Sequence, residues 1–332
     1  MSAGRLKIIR VQGGQTLSDD LRGGVVAIGN FDGVHRGHQS VLERALEIAH
    51  KNNVPALVMT FEPHPRAVFT PENAPFRISP APMKATLLEK LGFNAVIEQA
   101  FDKNFASNSA EDFISKILVG QFGVSHVVTG FDFHFGKGRE GGPAFLMAAG
   151  EERGFGVTLV DAFRDENADV ISSSRIRQLL IQGELGEANA LLGYRFTVEG
   201  EIIKGRQLGR ELGYPTANMV LHQDNGLKSG IYAVKFRDGD GKLRDGVASF
   251  GVRPTVEDDG APILETFVFD YKGDLYGQNC QVHLVSYLRD EQKFDGLDAL
   301  IVQMKLDDAQ AREVLMHSKP ISALDQAVCF DV

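Results

Sequence analysis

Gly29-Asn30-Phe31-Asp32-Gly33-Val34-His35-Arg36-Gly37-His38 is the stretch on which the fold turns. It follows a short apolar run, Val25–Gly29, and precedes Ser40–Lys51, where Val41, Leu42, Ala45, Leu46, Ile48 and Ala49 recur at helical spacing. The order is strand, glycine-bearing loop, helix. Further along, Ala56–Phe61, Ala95–Glu98, His126–Gly130 and Val157–Val160 are strand-like. Met83–Gly92, Ala110–Phe122 and Ser172–Gly183 are helical, the last with serines at its start and a glycine stop. Strands alternating with helices predict a parallel α/β sheet.

From Phe196 onward the segments become short runs rich in β-branched and aromatic residues: Phe196–Ile203, Gly230–Arg237, Leu243–Phe250, Ile263–Phe269 and Cys280–Leu288. Gly, Asp and Pro clusters separate them, which predicts a small antiparallel β-barrel. Helical spacing returns between Leu297 and Leu315 as one closing helix. A domain boundary is expected within Gly183–Leu192, dividing the chain into 1–186 and 187–332.

The 332 residues, 43% hydrophobic and 24% charged, suit two domains of ordinary size. A net charge of −9 speaks against a general nucleic-acid-binding surface, which would need clustered Lys and Arg. Phosphate chemistry must then use a local basic site. Cys280 and Cys329 form no metal-spaced pair and read as reduced thiols. Met1–Arg10 lacks the apolar core of a signal peptide, and no run is long enough to span a bilayer, so a cytoplasmic enzyme without a membrane partner is expected. The sequence leaves the oligomeric state open.

The loop Asn30–His38 lies where an open parallel sheet puts its ligands, and its glycines let backbone approach a phosphate. The following helix would present N–H groups and a positive dipole end to an anion. His35 and His38 can donate hydrogen bonds to charge developing on a phosphoryl group. The bland alternative is a glycine turn with two exposed histidines.

Gly29–His38 resembles the HxGH signature of the nucleotidyltransferase superfamily, in the longer form found in bacterial bifunctional riboflavin kinase/FAD synthetases. Thr60-Phe61-Glu62-Pro63-His64-Pro65, Gly130-Phe131-Asp132-Phe133-His134-Phe135-Gly136 and Ile171-Ser172-Ser173-Ser174-Arg175-Ile176-Arg177 resemble that family's further motifs, in the same order. The resemblance implies a Rossmann-like nucleotidyltransferase sheet and adenylyl transfer. The FMN phosphate attacks the α-phosphorus of ATP, releasing pyrophosphate and leaving FAD, with no covalent enzyme intermediate. It also implies that His35 and His38 hold the ATP phosphates within a loop that includes Gly29, Asn30, Phe31 and Gly37. Asp132 would lie beside nucleotide and metal, and Ser172, Ser173 and Arg177 would bind phosphate from a helix start, Arg177 bidentately. Singly, Asp132 reads as an Asx-type cap, Ser172–Ser174 as an N-cap and Arg177 as a solvated helix face. Their joint occurrence favours the site. His134 stands where the family often has Arg.

Gly136-Lys137-Gly138-Arg139-Glu140-Gly141 satisfies the dinucleotide pattern G-x-G-x-x-G, with Asp161 beyond it, so an NAD-dependent oxidoreductase is a formal alternative. The context is wrong, because Phe131–Phe135 separate the strand from the first glycine, where the dinucleotide fold needs a tight turn. The stretch reads as a flexible basic loop with Lys137 and Arg139 available to phosphate.

In the second half, Gly200 and Gly205-Arg206-Gln207-Leu208-Gly209-Arg210-Glu211-Leu212-Gly213-Tyr214-Pro215-Thr216-Ala217-Asn218 place glycines, arginines and Pro-Thr-Ala-Asn in one loop that is not a Walker sequence. Gly205, Arg206, Gly209, Arg210 and Gly213 suit phosphates, while the Thr216 hydroxyl and Asn218 carbonyl are hard oxygen ligands for Mg²⁺ with ATP. A plain Gly-rich turn is the bland reading. The run is similar to the riboflavin kinase motif ending in PTAN, and Phe250–Thr255, Asp274–Gly277 and Leu288–Phe294 extend the likeness. That resemblance implies ATP-dependent phosphorylation of riboflavin to FMN, with Glu265 as the base that accepts the hydroxyl proton. By alternation alone Glu265 is a surface residue, with Leu264, Thr266 and Val268 on the opposite face. Asp238-Gly239-Asp240-Gly241 lacks the further ligands of an EF-hand and reads as a hairpin turn. His126, His222, His283 and His317 read as structural or solvated. A noncatalytic flavin or nucleotide store is the rival class, but Glu265, Thr216, Asn218 and His38 together are excess chemistry for storage.

Overall fold

The computed structural model describes residues 6–11, 14–205, 213–252 and 261–331. By backbone contacts the chain forms two compact units, Met1–Pro75 with Ser79–Ser172, and Phe76–Ile78 with Ser173–Val332.

The first unit is built on six strands: Lys7–Val11 (β1), Val25–Ile28 (β2), Ala56–Glu62 (β3), Ala95–Ala100 (β4), His126–Gly130 (β5) and Gly156–Val160 (β6). They pair in the order β1-β4-β3-β2-β5-β6, each pairing parallel. The apolar runs are the central strands, and β2 is buried at every residue because helices cover both faces of such a sheet. The expected parallel α/β sheet is present, with one strand more than expected. β1, Lys-Ile-Ile-Arg-Val, escapes sequence reading because it is an edge strand whose lysine and arginine face solvent. A helix at Pro143–Arg153 was likewise not expected, since it buries little beyond Leu146, Ala149 and Gly150.

The strand order reverses between β2 and β5. The crevice at their carboxyl ends is where an open sheet of this kind takes a ligand. The helix after β2 spans Arg36–Asn52 and buries Val41, Leu42, Ala45, Ile48 and Ala49, the predicted stripe. It begins four residues before the expected Ser40, because His35 caps it. Removing one of its fully buried side chains, Leu42→Ala for instance, would cost about 2–5 kcal/mol.

The second unit holds a closed barrel of six antiparallel strands: Thr197–Ile203 (β7), Thr216–Val220 (β8), Gly230–Arg237 (β9), Leu243–Val252 (β10), Pro262–Val268 (β11) and Asn279–Arg289 (β12). Their order around the barrel is β10-β11-β8-β7-β12-β9. β8 corrects the sequence reading: Thr216–Asn218 are not loop but strand, and Gly200 lies within β7. The interior is filled from alternate positions, among them Met219, Tyr232, Phe236, Leu264 and Val282, all nearly inaccessible. The helix Leu297–Met316 packs Ala311 and Leu315 onto the outer wall against Ala233 and Phe269. Cys280, on the barrel strand β12, and Cys329 are unpaired thiols, and burial pushes the Cys280 thiol up to about 11. No helix among the described residues is long and apolar enough to cross a membrane.

Candidate active sites

In the first unit the loop after β2 is held from below. Asp32 is buried, and its Oδ1 accepts the Ser79 N–H at 3.0 Å while the Ser79 hydroxyl accepts the Gly33 N–H at 2.7 Å. Phe31 and Val34, both buried, take left-handed φ of 46° and 38°, a strained geometry that the anchored loop enforces. The His35 Nδ1 accepts the His38 N–H at 3.2 Å, which in the neutral ring puts the proton on Nε2. The His35 and His38 rings stack with centroids 3.5 Å apart, and Phe31 meets His38 edge-on at 5.4 Å. Gly37 is required here: a β-carbon would lie 3.2 Å from the His35 ring and 3.3 Å from the Ile171 carbonyl. Gly29 similarly leaves room for the Phe31 ring, 3.0 Å from a β-carbon at that position. Gly29, Asn30, Phe31, His35, Gly37 and His38 are thus brought together, at the head of a helix that offers a positive dipole end.

Asp132 follows β5, whose neighbour is β2, and is exposed. His134, where the family often has Arg, is exposed, with its Nδ1 2.8 Å from the Asp132 carbonyl and 3.4 Å from the Arg139 guanidinium. The G-x-G-x-x-G stretch holds a tight turn, Lys137–Arg139, closed by a bridge between Phe135 and Gly141, with Lys137 and Arg139 exposed. A β-carbon on Gly136 would sit 2.6 Å from the Ala110 nitrogen, so that glycine serves close packing.

Ser172 ends the first unit, whereas Ser173 and Arg177 belong to the second, in the helix Ser173–Gln182. The Arg177 Nε donates to the Phe76 carbonyl at 2.8 Å and its guanidinium lies 5.9 Å from the Phe76 ring centroid.

In the second unit β8 and β11 run side by side, with Asn218 opposite Glu265 and Thr216 opposite Phe267. Opposed residues share a face, so Thr216, Asn218, Glu265 and Phe267 all project outward. Ala217, Leu264, Thr266 and Val268 fill the interior. The face division expected for β11 holds, but the outer face is a cavity wall. A 340 Å³ cavity is bounded by Glu265, Tyr214, Phe267, Phe294, Leu300 and Met304, among others. A 500 Å³ cavity takes in Gly205, Thr216, Asn218, Asp274 and Tyr276. Thr216 borders both. Gly205 is pressed against Asn218, whose amide would be 2.6–2.8 Å from any β-carbon there. Gly213 has a left-handed φ of 84° and open space around it. Arg206, Gly209 and Arg210 lie outside the described residues.

The sequence reading missed two parts of this wall. Arg289 grips Asp307 of the closing helix through Nε and Nη2 at 2.7 and 2.6 Å, and this pairing raises the Arg289 pKa further. The signal for it was an aspartate, Asp307, at the helical spacing of Leu300, Met304, Ala311 and Leu315. The Asp238–Gly241 turn joins β9 to β10 as expected, and the Asp238 carboxylate is taken up by Arg244 and the N–H groups of Asp240 and Lys242. Among the described residues no group of three or more His, Cys, Asp or Glu could hold a metal ion.

Comparison with known proteins matches residues 17–175 to the FAD synthetase family and residues 192–315 to the riboflavin kinase family. The chain is 42% identical over 308 residues to the bifunctional riboflavin kinase/FMN adenylyltransferase of Pseudomonas fluorescens, covering 93% of this chain and 98% of that one. The enzyme of the same name from Escherichia coli (strain K12) is 41% identical over 298 residues, covering 90% and 95%. A crystal structure of a macrolide-efflux protein from Streptococcus pneumoniae superposes with a TM-score of 0.81 at 29% identity, covering 92% of this chain and 99% of that chain. With both halves matched and the relatives spanned almost end to end, the chain belongs to the bifunctional riboflavin kinase/FMN adenylyltransferase family.

Proposed function

We propose that this chain phosphorylates riboflavin with ATP to give FMN at the barrel, then adenylylates FMN with a second ATP at the parallel sheet, yielding FAD and pyrophosphate. The observation that carries the reading is the pair of cavities meeting at Thr216, with Glu265 on the apolar side and Asn218 on the polar side. The smaller cavity suits a flat aromatic ring, with Tyr214, Phe267, Phe294 and Met304 for stacking and packing. The larger one suits the nucleotide. A ribityl hydroxyl entering from the first side meets the γ-phosphoryl of ATP at the shared wall; Glu265 orients it and accepts its proton as its oxygen bonds to the γ-phosphorus and the bond to ADP breaks, releasing ADP.

Thr216 and Asn218 would hold Mg²⁺, and their neutral oxygens beside the glycine at 205 fit such an ion. Bound there, the ion would offset charge on the transferring phosphoryl. Gly205, Arg206, Gly209, Arg210 and Gly213 would line the phosphates. In the first unit Gly29, Asn30, Phe31, Gly37, His35 and His38 would surround the phosphates of the second ATP, with Asp132 and Ser172 beside them; for Ser173 and Arg177, which belong to the second unit, a phosphate role rests on the motif resemblance alone. The His35 Nε2 proton and the His38 ring would stabilise charge on the α-phosphoryl as pyrophosphate leaves. The working domain boundary is 186/187, in the interval between the two family matches, which end at 175 and begin at 192. Its partners are the small-molecule substrates, and dependence on ATP for both steps fits the cytoplasm.

Chromatography of the products formed from riboflavin, ATP and Mg²⁺ tests the scheme. His38→Ala should let FMN accumulate while FAD falls, and Glu265→Ala should abolish FMN while added FMN still becomes FAD. Equal loss of both products in His38→Ala would sink the two-site assignment, and continued phosphorylation of riboflavin by Glu265→Ala would remove Glu265 from its role.

A further inference from the structure

Lys84 lies in the helix Ala81–Leu91, on the face that also buries Met83, Leu87 and Leu88, and is only 1% exposed. An ammonium in such a place is costly unless it is fully paired. Its Nζ donates to the Asn30 carbonyl at 3.1 Å, the Thr60 hydroxyl at 2.9 Å and the Glu62 carboxylate at 3.0 Å. The Thr60 hydroxyl in turn donates to the same Asn30 carbonyl at 3.1 Å. Two donors thus converge on the carbonyl one residue before Phe31, where the chain enters its left-handed turn. Phe31 then abuts His38, and His38 stacks on His35.

We infer that Lys84 is a positioning residue for adenylyl transfer: through Asn30 and Phe31 it sets the direction of the two histidines. This rests on the assignment of that reaction to the first unit. Lys84 need not touch a substrate to matter, because a catalytic donor displaced by about 1 Å loses on the order of 100-fold in rate. The loss should fall on the chemical step, where donor alignment counts, rather than on nucleotide affinity.

The test uses the full-length chain with Lys84→Met, alone and combined with Glu62→Gln, which removes the carboxylate left without its ammonium. For FMN and ATP going to FAD, kcat should fall about 100-fold, with KM for ATP within about threefold of wild type. Riboflavin phosphorylation by the same molecules should be unchanged. In the double variant Tm should recover and kcat should not, which separates positioning from loss of stability. Where Lys84→Met fails to fold, the double variant carries the same decision. A kcat for FAD within about threefold of wild type, or a kcat that recovers together with Tm, would overturn the inference. A wild-type chain that makes no FAD would instead overturn the adenylyl-transfer assignment on which it rests.

Discussion

Gly205→Ala should disable riboflavin phosphorylation through Asn218 alone. The added β-carbon would stand 2.6 Å from the Asn218 Nδ2 and 2.8 Å from its Cγ and Oδ1, where ordinary contact begins near 3.4 Å. Relief requires the amide to retreat by about 0.6–0.8 Å. Asn218 is buried and short, and its Nδ2 is tied to the Thr216 carbonyl at 3.1 Å, so it has little room to swing. A shift of that size in a proposed metal ligand should lower kcat for FMN formation roughly 30- to 100-fold, and the overpacking should cost about 1–3 kcal/mol of stability. FMN formation from riboflavin is read by chromatography, and FAD formation from added FMN by the same chains serves as the internal control. Gly241→Ala, in the hairpin turn between β9 and β10, is the matched comparison: its left-handed φ of 84° costs about 1–3 kcal/mol, but nothing stands within 4 Å of the new carbon. Wild-type FMN formation by a folded Gly205→Ala chain would refute the argument that Asn218 must hold its place.

Two further outcomes are expected. Asp307→Asn leaves Arg289 with a weaker partner, so stability should fall by about 2–3 kcal/mol; KM for riboflavin should rise while KM for ATP holds, as steady-state kinetics with each substrate varied will show. His283 is fully buried, and desolvation, with Arg237, Arg195 and Lys235 nearby, pushes its pKa from 6.5 down to about 3. The unfolded chain therefore binds a proton across that window that the folded chain refuses, and stability rises with pH there. On acidification from 6.5 towards 3 the contribution is lost at about 1.4 kcal/mol per pH unit. His283→Gln should flatten that slope in urea unfolding followed against pH, and an unchanged slope would remove His283 as its source.

The sequence was most legible where a period was long or a residue unusual. The apolar stripe of Arg36–Asn52 and the β-branched barrel runs could be read directly, because burial enforces those periods. β1 was hidden by its charged edge, and β8 by the glycine run before it, which reads as loop up to Pro215. The candidate site was legible at His35, His38 and Glu265 through motif resemblance. Its supports were not: Asp32, Ser79, Lys84 and Asp307 act through partners 46 or more residues away, or across a helix and a strand, and no local spacing encodes such pairs. Lys84 and Asp307 nonetheless left one common trace, a charge set in an apolar helical stripe.

The strand order of the barrel also bears on how the chain is made. β12, the last strand to leave the ribosome, is the one that closes the barrel between β7 and β9. Until about residue 289 has emerged, the nascent second half holds two open strand edges with unpaired backbone groups, the kind of surface that recruits other chains. A chain cut between β11 and Asn279 keeps those edges for good, so aggregation through that half is its expected fate. Synthesis through the helix Leu297–Met316, which then covers the outer wall, is what converts an adhesive intermediate into a closed barrel.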